Sequence, residues 1–174
     1  IDHILGFFRI WSIPMDQVEG IMGRFVPAIP IAQEELDKKG ISADMDRYTK
    51  PFINEAVLFT YFGYDNDYAK QHFVKALQDG KYELSPNFLT QRSVEAYFKT
   101  LPMDDWHLKM QQGLYNLISN VVLFKGDEPH TYHFRFNMEG TLSFQNLDDK
   151  SKNALRDLYV NYFFIRQDNA WEKE

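Results

Sequence analysis

The stretch Thr131-Tyr132-His133-Phe134-Arg135-Phe136-Asn137-Met138 decides the fold class, because it alternates apolar and polar residues without a break. Successive side chains of a strand point to opposite faces. Tyr132, Phe134, Phe136 and Met138 therefore share one face, and Thr131, His133, Arg135 and Asn137 the other. Upstream, Leu114 to Phe124 carries the β-branched Ile118, Val121 and Val122, followed by a Gly126-Asp127-Glu128-Pro129 turn. Downstream, Glu139-Gly140 turns the chain into Thr141 to Gln145. These three segments read as an antiparallel meander. Asp148 to Leu155 reads as a short polar helix. Leu158 to Arg166, with Val160, Tyr162, Phe163, Phe164 and Ile165, reads as a fourth strand covered on both faces.

Before Gly113 the period is helical. Val18, Ile21, Met22 and Phe25 form one stripe, and a second short helix over Ile31 to Lys39 ends at Gly40. Phe52, Ala56 and Phe59 keep helical spacing, with Ser42 or Thr49 as cap. A further stripe holds Ala69, Phe73, Ala76 and Leu77, after an interruption from Gly63 to Asp67. Ser85-Pro86 is a helix-start signal, and Val94, Tyr97, Phe98 and Leu101 continue from it. Met103 to Gln112 adds a short helix containing Trp106 and Met110.

The expected fold is α+β, with N-terminal helices packed on a small C-terminal antiparallel sheet. A single domain covers 1–174, with 1–45 as a helical N-terminal appendage and 46–174 as the main body. At fold level only, this outline resembles the cone-shaped NTF2-like architecture. The resemblance rests on no motif residue. It implies an apolar cleft lined by Tyr132, Phe134 and Phe136, and it brings to mind the secretion-system scaffold proteins that use the same architecture.

Composition narrows the function classes. The chain has 174 residues, of which 44% are hydrophobic and 25% charged, so a sizeable core is within reach. Fifteen Phe, ten Tyr and three Trp make it rich in aromatic residues, and such rings favour both cores and interfaces. The formal charge of −6 and the absence of any basic cluster argue against nucleic acid and against anionic lipid. There is no cysteine, hence no disulfide, no thiolate nucleophile and no cysteine-based metal site. That composition leaves the compartment unassigned. No stretch approaches the 18 consecutive apolar residues of a membrane-spanning helix. Because the first residue is Ile1, an upstream anchor or signal is an open expectation.

The chemistry-bearing residues follow no catalytic pattern. His130 and His133 have ligand-like spacing on a helix, but on a strand they face opposite ways. His133 then belongs to a polar strand face in solvent. Glu34-Glu35, Asp104-Asp105 and Asp148-Asp149 read as helix-start or surface acids. Asp65-Asn66-Asp67 lacks the closing glutamate of a twelve-residue calcium loop. No phosphate-cradling glycine motif and no nucleophile elbow is present. The reading therefore leans away from an enzyme and names no catalytic, metal or cofactor residue. It favours a non-enzymatic interaction or structural domain with protein partners, within a larger assembly. The alternative is a small-ligand or cofactor-independent enzyme domain with an apolar cleft. Trp11, Trp106, Tyr132, Phe134, Phe136 and Trp171 are the candidate interface or cleft residues.

Overall fold

Short helices and short strands alternate along the chain in the computed structural model, which describes residues 9–41 and 44–166. The order begins β1 (Ile10–Ser12), β2 (Arg24–Val26), β3 (Ile31–Ala32), α1 (Gln33–Lys38), α2 (Asp46–Thr49), α3 (Glu55–Phe62) and α4 (Asn66–His72). It continues β4 (Val74–Ala76), β5 (Tyr82–Leu84), α5 (Gln91–Phe98), α6 (Asp105–Ile118), β6 (Leu123–Lys125) and β7 (Thr131–Phe134). Last come α7 (Leu142–Gln145), α8 (Asp149–Val160) and a π-helical turn over Asn161–Arg166. The sheets are antiparallel and small: β1 pairs with β2, β3 with β7 and β7 with β6, and β4 with β5.

The fold is thus mixed α+β, but its sheets are spread across the chain instead of following the helices. Strands of two to four residues do not establish the NTF2-like outline. The largest correction concerns Leu158 to Arg166, expected as a strand. Leu155, Leu158 and Tyr162 are buried at spacings of three and four, one stripe of a helix. The dense aromatic and β-branched composition hid that period. Thr141 to Gln145 is helical too, because the Thr141 hydroxyl caps α7 by accepting the Phe144 amide at 3.0 Å. Leu114, Leu117 and Ile118 end α6, which leaves only Leu123–Lys125 as a strand. Conversely, the stripe that ran from Ala69 to Leu77 breaks after His72, and Val74–Ala76 pairs with β5. Val18 to Phe25 holds a single 3-10 turn and then β2.

Other elements follow the sequence signals. The α1 helix ends with Gly40 at φ +79°, a conformation that favours glycine. Asp104 and Asp148 cap α6 and α8 with their side-chain oxygens. For α3 the cap is Asn54 and not Thr49, with Ser42 outside the described residues, and for α5 it is Thr90, since Ser85-Pro86 opens only a 3-10 turn.

The described residues fall into two compact units. Of these, the first draws on 9–12, 23–41, 44–49 and 122–166, the second on Ile13–Met22 and Lys50–Val121. In the first, Ile31, Leu36, Phe134, Phe144 and Leu155 form the centre of one hydrophobic cluster. Beside it His133, 2% exposed, is held between Arg24 and Tyr162. This corrects its assignment to a solvated strand face. A guanidinium has only donors, so Arg24 Nη1 donates to His133 Nε2 at 2.6 Å. The ring proton therefore sits on Nδ1 and is donated to the Tyr162 hydroxyl at 2.7 Å. Burial, together with the Arg24 charge, lowers His133 to about 4. Burial also pushes the Tyr162 phenol up to about 12.

In the second unit, the fully buried Gln91 pins the Ile13–Met22 segment. Its carbonyl oxygen accepts the Val18 and Glu19 amides at 2.9 and 2.8 Å. Gly113 of α6 lies against the Phe62 ring of α3, and a Cβ there would meet Phe62 Cδ1 at 2.8 Å. Two consequences can be measured. Gly113→Val overpacks this contact and is expected to cost about 2–3 kcal/mol in denaturant unfolding. A loss under about 0.5 kcal/mol would show that Phe62 moves aside freely. For His133, the folded state takes up its proton later than the unfolded state as pH falls from 6.5 toward about 4. Its contribution is therefore present above pH 6.5 and is lost on acidification. Between pH 7 and pH 4.5, His133→Gln is expected to lose about 2–3 kcal/mol less stability than the natural chain. Equal losses in the two proteins would acquit this imidazole.

Candidate functional site

In the first unit, α1 and α8 supply the facing walls of a groove of about 600 Å³, a size suited to a small ligand. Glu35 lies on α1, and Lys39 just past its end. Helix α8 contributes Arg156, Asp157, Leu158 and Val160, and the π-helical turn adds Asn161, Ile165 and Arg166. Asp157, Asn161 and Ile165 recur every four residues, so one side of successive turns faces the groove.

Three ion pairs fix its charged side chains. Arg166 grips both oxygens of Glu35, with Nη1 donating to Oε1 at 2.9 Å and Nη2 donating to Oε2. The same Nη1 donates to the Pro30 carbonyl at 2.6 Å. Glu35 also accepts the Ala32 amide at 3.0 Å, closing a capping arrangement at the start of α1. Burial pushes the Glu35 carboxyl up, but the Arg166 guanidinium and the Ala32 amide outweigh it and hold the group below the usual carboxylate range. Lys39 meets Asp157 at 3.3 Å. Arg156 Nε donates to Glu139 at 2.9 Å, and its guanidinium lies 5.3 Å from the centre of the Phe144 ring.

A second feature of this unit is a set of partly exposed rings. Trp11, 37% exposed, meets Phe25 edge-on at 4.9 Å and Phe136 at 6.0 Å. Phe136, 47% exposed, in turn meets Phe163 at 6.0 Å. Gly23 makes room for the indole. A Cβ at that position would collide with Trp11 Nε1 and lie 2.9 Å from the Ser12 carbonyl oxygen. Phe136 stands out of the core because the strand ends at Phe134. The buried Arg135 donates to the Phe136 and Asn137 carbonyls at 2.8 and 3.2 Å, and Asn137 takes φ +54°.

The aromatic candidates read from the sequence are therefore dispersed. Trp11 and Phe136 touch each other with exposed rings. Tyr132 and Phe134 are buried in the core cluster. Trp106 is half-buried on α6 of the second unit, where its Nε1 donates to Asp65 at 3.2 Å and Tyr68 packs edge-on at 4.9 Å. Trp171 lies outside the described residues. Exposed His130 takes φ +59° in the turn before β7. Among the described residues no three His, Asp or Glu side chains gather as a metal-holding group, and no helix is long and apolar enough to cross a membrane. Sequence reasoning missed the groove. Glu35 and Arg166 are 131 residues apart, and Lys39 and Asp157 are 118 apart, so no local spacing could announce either pair.

No family model matches the chain, and no solved structure matches it. Among curated proteins, it is 38% identical over 187 aligned residues to 4-alpha-glucanotransferase DPE2 of Oryza sativa subsp. japonica. The alignment covers 99% of this chain, which spans 19% of that relative's length. This likeness overturns the expectation of a non-enzymatic interaction or structural domain. Nearly the whole chain is similar to a stretch of an enzyme that acts on carbohydrate, and the absence of familiar catalytic motifs had pointed the other way.

Proposed function

We propose that this chain works as a segment of a carbohydrate-active enzyme that transfers α-glucan units. The observation that carries this reading is its 38% identity, over 99% of its own length, to a stretch of a 4-alpha-glucanotransferase. The exposed rings of Trp11 and Phe136 support it, since an aromatic face takes the C–H face of a sugar as readily as another apolar surface. On this reading the partners are glucan chains and not nucleic acid. An acidic chain of formal charge −6 gives phosphates no net attraction.

The test is an exchange. This chain replaces the matching stretch of the rice enzyme, and transfer is followed from maltoheptaose to a fluorescent oligosaccharide acceptor. The chimera is expected to transfer glucan, and a control with the stretch replaced by a flexible linker is expected to be inactive. A folded, monodisperse chimera without transfer activity, beside an active rice enzyme, would overturn the reading.

A further inference from the structure

We propose that the groove between α1 and α8 is a binding site for a neutral α-glucan oligosaccharide. This rests on the enzyme reading above and adds to it the place on this chain where the sugar is held. The argument starts from charge. The groove carries three cations, and each is already matched by a carboxylate of the same unit: Arg166 by Glu35, Lys39 by Asp157 and Arg156 by Glu139. Matched pairs leave little net field, so neither a phosphate nor a cationic ligand gains much Coulomb energy on entry.

What the pairs do present is a dense set of fixed donors beside fixed acceptors. A sugar hydroxyl is both donor and acceptor, and it can give its proton to a carboxylate while accepting from a neighbouring guanidinium. Neutral polyols suit such a lining better than ions do. The apolar part of the lining completes the match. Val160 and Ile165 are about half exposed, at 52% and 50%, on the helical segment that also carries Asn161. A pyranose has an apolar C–H face as well as its hydroxyl rim, so both parts of the groove have a counterpart on the ligand. Glu35 is gripped by Arg166 and acts as an acceptor.

Maltoheptaose is titrated into the full chain by calorimetry, with two groove variants, Arg156→Ala and Asp157→Asn, and with Met103→Ala, an exposed position outside the groove. Saturable binding is expected in the natural chain and in Met103→Ala, weakened roughly tenfold or more in each groove variant at unchanged melting temperature. Where Arg156→Ala fails to fold, the milder Asp157→Asn decides. Three results would overturn the assignment: no saturable binding, equal affinity in the groove variants, or inorganic phosphate binding more tightly than the sugar. An active chimera with no sugar bound at the groove sinks the groove alone. Intact groove binding in an inert chimera sinks the enzyme reading alone.

Discussion

The first unit depends on one buried imidazole. Its segments come from three separate parts of the chain, and His133 of β7 meets Arg24 of β2 on one ring nitrogen and Tyr162 of the C-terminal helical segment on the other. The tautomer is forced, because a guanidinium cannot accept a hydrogen bond. Each partner then has one possible role, and the three elements have one relative arrangement that satisfies all of them. Arg24 is steadied in turn by Asp127 at 2.9 Å, in the turn that leads into β7. The net value of such a network is modest compared with burial of the hydrophobic cluster. Its role is selection: a half-satisfied version would leave a buried imidazole or phenol without a partner.

The same helical segment that brings Tyr162 to His133 brings Arg166 to Glu35 and Asp157 to Lys39. Core and groove are therefore two faces of one element. Leu155 and Tyr162 look toward the core, while Asp157, Asn161 and Ile165 look toward the groove. The groove walls owe their fixed geometry to core packing more than to the surface ion pairs, since exposed pairs contribute little on their own.

How much of this was legible follows from the range of each signal. Caps and periods are local, and they marked the starts at Asp104 and Asp148 and the end at Gly40 correctly. The run Leu158 to Arg166 misled because its composition is that of a strand while its buried positions follow a helix. Composition records what a residue can tolerate, and packing decides which period is used. His133 misled for a related reason. Alternation in sequence placed it opposite Phe134, on a face taken to be solvated, but a helix from the end of the chain covers that face. The groove left no trace in the sequence, because its pairs are joined only by tertiary structure.

A groove whose charges are already paired has a particular thermodynamic character. An unpaired buried charge would seize a ligand strongly and hold it, because the free site would leave that charge poorly solvated. Here the free groove is already satisfied, so on the proposed assignment a sugar gains only the difference between its hydroxyls and the waters it displaces. Binding at one such site is weak by construction. For a polymer of repeating units that is not a defect. A chain held by several weak contacts keeps a high local concentration at each of them and still slides or leaves readily. On the proposed reading, an enzyme that must release one glucan and accept another is better served by contacts of this kind than by a single tight one.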